Sequence, residues 1–201
     1  MNRRAMAHPR IHLTLLPLLL AVASCAADEP APRPPLEGAA IGGEFALLDR
    51  AGKTVRYSDF AGQYRVVYFG YTFCPDVCPL DVQRMMQGYA LFETAEPDVA
   101  KRVQPIFVSI DPARDTPAVV GEFASAFSPR LIGLTGSEAQ VAAAAEAFKA
   151  YRAKGATSPD GYLMDHSRIA YLMDRDGKPL AMLPVDQGPP AVAAELAKWT
   201  S

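Results

Sequence analysis

Two largely apolar runs limit the folds open to this chain: "YRVVYFGYTF" (Tyr64 to Phe73) and "VQPIFVSI" (Val103 to Ile110). Both are rich in β-branched and aromatic residues, which suit strands. Neither alternates with polar residues, so each reads as a strand covered on both faces. Such strands need helices on either side, and the sequence supplies them. Pro79 to Thr94 reads as a helix, and "RDTPAVVGEFASAF" has Thr116 as N-cap and Pro117 at the first helical position. "SEAQVAAAAEAFKAY" is an alanine-rich helix capped by Ser137, and "PPAVAAELAKW" forms the last helix. "LIGL" is a short third strand, while "RIAYLMD" and "PLAMLPV" flank "RDGK" as a hairpin. A further hairpin, "FALLDRAGKTV", precedes them all. The order predicts an α/β chain with a thioredoxin-like fold: a mixed central sheet flanked by helices, with an N-terminal β-hairpin extension. No internal repeat is present.

The N-terminus has a different character. Arg3, Arg4 and Arg10 precede a 13-residue apolar stretch, Ile11 to Ala23. That is short of the roughly 20 residues needed to span a bilayer. Small residues follow it, as in an export signal, and "VASC" (Val22 to Cys25) resembles a bacterial lipobox, in which the cysteine is lipidated. Residues 1–24 are thus expected to be a lipoprotein signal peptide. Residues 25–40 are expected to be a lipidated Cys25 with a proline-rich linker, and 41–201 the folded domain. Proline-rich segments extend at about 3.1 Å per residue, so this one would reach up to about 45 Å from a membrane. The expected location is the bacterial cell envelope, on the periplasmic side, with the protein lipid-anchored to the membrane.

Removing residues 1–24, which carry three arginines and no acid, leaves 17 basic and 22 acidic residues, a net charge of −5. Such a balance offers no basic stripe for nucleic acid. The removal also leaves one histidine, His166, and two cysteines besides Cys25. Any chemistry needing imidazole or thiolate then falls to Cys74, Cys78 and His166.

Cys74 and Cys78 lie in "GYTFCPDVCPLD", where the first buried strand meets its helix. Ligands of open α/β sheets favour that end of the strands. Each cysteine precedes a proline, so both are expected to be extended, with Cys78 as N-cap and Pro79 opening the helix. The helix dipole then favours a Cys78 thiolate. Asp76, between the sulfurs, opposes it and also suits a turn. The spacing admits a disulfide, a redox pair or a shared metal ion. A bridge over so short a loop removes little chain entropy, which argues against a purely structural disulfide. A lone histidine is more often a core or surface residue than a ligand. In a thioredoxin-like fold, however, the loop before the last hairpin faces the active-site loop, which would bring His166 to both sulfurs. Asp165 is then a candidate to orient it. Thiolates with one imidazole select Cu(I), Cu(II) or zinc over magnesium and calcium. Met85, Met86 and Met164 read as packing.

Taken in order, "FGYTFCPDVCP", "SIDPARDTP", "GLTG" and "YLMDHS" resemble the Sco/SenC family, from about Gly42 to Leu183. The resemblance implies a thioredoxin-like fold and a copper ion, Cu(I) or Cu(II), held by Cys74, Cys78 and His166. It implies a tethered chaperone that delivers copper to the binuclear site of cytochrome c oxidase subunit II, or to another copper enzyme. Other periplasmic copper chaperones would be further partners. Two rival readings use the same residues: a thiol–disulfide oxidoreductase whose Cys74–Cys78 pair reduces that target's cysteines, and a copper-responsive signalling protein. A peroxiredoxin-like peroxidase fits poorly, since Thr72 stands two residues before Cys74 and that family's motif uses three. "DPARDTP" (Asp111 to Pro117) reads as a structural loop and helix start.

Overall fold

The computed structural model describes residues 32–158 and 161–200. The expected signal segment and Cys25 lie outside the described residues. The leading hairpin is present as β1 (Ala46–Leu48) and β2 (Thr54–Arg56), paired antiparallel. The two apolar runs become β3 (Tyr64–Gly70) and β4 (Val103–Ser109), side by side and parallel. Between them run α1 (Val77–Ala95) and a short α2 (Pro97–Ala100). Then come α3 (Pro117–Phe127), β5 (Ile132–Leu134) and α4 (Glu138–Ala147). A second hairpin follows, β6 (Arg152–Ser158) with β7 (Gly161–His166). The chain closes with β8 (Ala170–Met173), β9 (Pro179–Leu183) and α5 (Pro189–Trp199).

The central sheet has the order β5-β4-β3-β8-β9, with β8 antiparallel to β3 and β9 antiparallel to β8. This is the mixed, helix-flanked thioredoxin-like sheet expected, with the β1–β2 hairpin as its extension. Alternate residues of β3 feed opposite faces, as the pleat requires. Val67 and Phe69 pack with Val141, Ala144 and Phe148 on one side. Val66 and Tyr68 meet Val82 and Met85 of α1, Val120 of α3 and Leu196 of α5 on the other. Being buried on both faces is why these strands show no polar alternation.

The helix caps follow local chemistry. The Thr116 hydroxyl accepts from the Val119 N–H, and Ser137 and Gln140 form a reciprocal capping box. The start of α1 departs from expectation. Asp76, not Cys78, is the N-cap residue, and Cys78 is already helical. Pro79 falls third in the helix, where its missing N–H has no helical acceptor to lose. A residue before proline resists the α region without being barred from it. The β6–β7 hairpin and α2 were not expected. The segment read as linker through Ala40 is bound from Leu36 onward: the Leu36 N–H donates to the Leu180 carbonyl at 2.9 Å, and the side chain packs against the core. Among the described residues no helix is long and apolar enough to cross a membrane.

Candidate metal centre

At the carboxyl end of β3 the chain leaves the sheet through Gly70. A Cβ there would lie 3.0 Å from the Tyr68 and Phe107 rings and 3.4 Å from Cys78 Sγ, so the glycine lets α1 bring its sulfur against the strand end. The next residues are held by Asp115, which is 1% exposed. Its carboxylate accepts from the Thr72 N–H (3.1 Å), the Thr72 hydroxyl (2.6 Å) and the Ser109 hydroxyl (2.5 Å). Burial raises the Asp115 pKa and these bonds oppose the rise. Asp111, four residues earlier, accepts from Arg114 Nε and from the Tyr162 hydroxyl of β7, both at 2.6 Å. Arg114 in turn lies over the Tyr162 ring, 3.8 Å from its centroid. "DPARDTP" is therefore structural in a specific sense: it fastens the cysteine loop and the histidine hairpin to the end of β4.

The fold brings Cys74, Cys78 and His166 together. Their ligand atoms all lie within 4.8 Å of one another. His166 Nδ1–H donates to the Ser167 carbonyl at 2.8 Å, which turns Nε2 toward Cys78 Sγ at 2.9 Å. A ring anchored through Nδ1 with Nε2 toward the sulfurs is the orientation a metal ligand needs. The Tyr71 ring stands edge-on to the imidazole, with centroids 5.9 Å apart. Cys78 has no exposed surface, whereas Cys74 is 9% exposed. Cys74 and His166, with Tyr71, Leu163 and Met164, line a cavity of about 370 Å³. An ion held by the three groups would have its remaining coordination position open on that side.

Both cysteines are unbridged thiols. The Cys78 N–H donates to Cys74 Sγ at 3.3 Å. Donation from the Cys78 thiol, and a smaller contribution from His166, hold the Cys74 thiol far below the ordinary range, to about 3, against the opposing effect of burial. Cys78 donates its proton and is sealed from water, so its pKa is pushed up. The thiolate favoured in sequence for Cys78 thus resides on Cys74. Iodoacetamide at pH 6 is expected to label Cys74 and spare Cys78. The rate should stay nearly flat from about pH 5 to 8, where that of an ordinary thiol rises about tenfold per unit. Peptide mass mapping checks this.

The candidate supporting carboxylates behave differently from expectation. The Asp76 side chain makes no capping bond; the residue acts on Cys74 through its backbone N–H. Asp165 pairs in register with Ala153 of β6, and the Nδ1 partner of His166 is the Ser167 carbonyl instead. Adjacent strand residues point to opposite faces, which explains the difference. Met85 and Met86 are core residues under the sheet, while Met164 borders the cavity.

Sequence reading missed Asp81. It has no exposed surface, accepts two bonds from Arg168 (Nε 2.9 Å, a terminal nitrogen 2.7 Å) and a third from the Tyr68 hydroxyl at 3.0 Å. Asp81 follows Cys78 by one helical turn, and Arg168 follows His166 by two residues. The pair therefore ties the two ligand-bearing segments together. From the sequence alone, an acid near the start of a helix reads as ordinary dipole complementation.

The SCO1/SenC family model matches residues 33–201. Among relatives, the mouse mitochondrial SCO2 homolog is 43% identical over 144 residues, 71% of this chain and 56% of that protein. Protein SenC of Rhodobacter capsulatus is 43% identical over 136 residues, 68% of this chain and 60% of its own. The chain thus spans somewhat over half the length of these relatives. Among solved structures, Bradyrhizobium japonicum ScoI with copper bound superposes with a TM-score of 0.71 at 38% identity, covering 80% of this chain and 99% of the other. With a family match over nearly all of the described residues and a Cys-Cys-His cluster at the end of its central strand, the chain belongs to the SCO1/SenC family.

Proposed function

We propose that this protein is a membrane-tethered copper chaperone. It binds one copper through Cys74, Cys78 and His166 and delivers it to the binuclear copper site of cytochrome c oxidase subunit II. The observation that carries the reading is the gathering of two sulfurs and one imidazole nitrogen within 4.8 Å, two of the three ligand residues lining an open cavity. Two thiolates and one imidazole suit copper better than hard cations. The vacant side gives a partner's ligand room to enter, so transfer proceeds by ligand exchange. Tyr151 and Leu163 line the same cavity and remain exposed, as a docking rim would. Copper bound in the ScoI relative supports the choice of metal. Anchoring through Cys25, on the periplasmic side of a bacterial envelope, is part of the proposal and would keep the protein beside a membrane-bound oxidase.

The low Cys74 pKa favours a second use of the same pair. The Cys74 thiolate attacks a disulfide of the target, and Cys78 resolves the mixed disulfide. The target gains two thiols as Cys74–Cys78 becomes a disulfide. Copper titration separates the two. One copper per reduced chain is expected, lost on oxidation and at least about 100-fold weaker in His166→Ala, since even outer-shell partners bring 10–100-fold. Equal, weak binding in all three samples would remove the chaperone reading and leave thiol–disulfide exchange.

A further inference from the structure

A second cavity, of about 760 Å³, opens at the other end of the central sheet, about 20 Å along β3 from the cysteine loop. Four cations line it: Arg65, Lys149, Arg175 and Lys178; the acids on its wall are Glu44 and Asp176. Arg65 is the unusual member, being 2% exposed. Among the described residues it has no ion-pair partner. One guanidinium nitrogen donates to the Asp174 and Arg175 carbonyls, at 3.0 and 3.3 Å, and the group lies over the Tyr57 ring at 4.7 Å. Its Nε has no hydrogen-bond partner among the described residues either. Burying a cation without an anion is costly. Lys149, Arg175 and Lys178 stay exposed around it, in a chain expected to be acidic once its leader is gone.

We infer that this cavity is a binding site for a phosphate ester. A buried guanidinium ringed by three exposed cations offers the charge and forked donors that phosphate oxygens take, and the volume leaves space for an organic group beyond the phosphorus. Residues 39–44 form part of the wall, so the site stands where the proline-rich segment enters the domain. A bilayer headgroup and a soluble phosphate are both sources of this chemistry. The site is separate from Cys74, Cys78 and His166 and does not depend on copper being their cargo.

The test is ³¹P NMR of three probes with the full chain: glycerophosphoglycerol (the headgroup of an anionic phospholipid), inorganic phosphate and zwitterionic glycerophosphocholine. Line broadening is expected for the first two and not the third. Stronger binding of glycerophosphoglycerol assigns the site to a bilayer, and stronger binding of phosphate assigns it to a soluble ligand. A Lys149→Glu/Lys178→Glu variant changes exposed positions only. It should fold as the wild type does, retain its copper stoichiometry and bind the preferred probe about tenfold or more weakly. Arg65→Gln should also lose binding if it folds. The inference is overturned if neither anionic probe broadens, if glycerophosphocholine broadens equally, or if the double variant binds as well as the wild type.

Discussion

Asp81→Ala is expected to lower the unfolding free energy by about 3 kcal/mol, measured by urea denaturation. Breaking a buried ion pair costs about 3–5 kcal/mol because one charge is left unpaired. The low end applies here because Arg168 is partly exposed and can turn to water. The Tyr68 hydroxyl cannot: Tyr68 has no exposed surface, and Asp81 is its acceptor. An unmet buried hydroxyl alone costs about 1–3 kcal/mol. Against a typical total of about 5–15 kcal/mol this is a large loss. Asp81→Asn separates positioning from stability. It keeps an acceptor for Tyr68 and removes the charge that holds Arg168. If the pair sets the approach of His166 to Cys78, copper affinity in Asp81→Asn falls by about tenfold at temperatures where the variant is fully folded. A purely structural role would leave the affinity unchanged there.

The second large effect concerns Cys78→Ser. Copper affinity of the reduced chain is expected to fall by more than about 100-fold in competition with a chelator, beyond what loss of an outer-shell partner brings. The same variant should change Cys74, which it does not touch. The largest cause of the low Cys74 pKa is donation from the Cys78 thiol. A serine hydroxyl is a far weaker acid and occupies a shorter reach, so the Cys74 pKa moves back up. Iodoacetamide labelling at pH 6, fast in the wild type, is then expected to slow by at least about tenfold, the effect of one pH unit of lost thiolate. The sign is fixed by the direction of the shift: a depressed thiol pKa means thiolate at neutral pH, and its loss means thiol. Unchanged labelling would place the Cys74 thiolate under the control of His166 and the backbone alone.

Much of this architecture is written locally. The runs at Tyr64–Gly70 and Val103–Ser109 are strands on composition alone, because continuous β-branched and aromatic residues have no other buried home of that length. Thr116 and Ser137 mark helix starts because a side-chain oxygen two or three residues upstream satisfies an otherwise orphan N–H. The three candidate ligands were legible by counting, since residues 26–201 hold one histidine and two cysteines. The strand that carries His166 was harder to read. "RAKGATS" and "GYLMDH" pair as a hairpin whose burial is partial and whose register shifts, so no clean alternation marks it.

Local sequence was thus enough for the central strands β3 and β4, the starts of α3 and α4, and the identity of the three groups able to hold a soft metal. Those features depend on neighbours within a few residues or on the scarcity of imidazole and thiol. Tertiary structure decided how they act. It set Cys78 beneath the site and Cys74 at its rim, giving the thiolate to Cys74. It joined Asp81 to Arg168 across 87 residues and Asp111 to Tyr162 across 51, and it buried Arg65 with no ion-pair partner among the described residues. Proton position, burial and ion pairing depend on distance in space, which no spacing along the chain encodes.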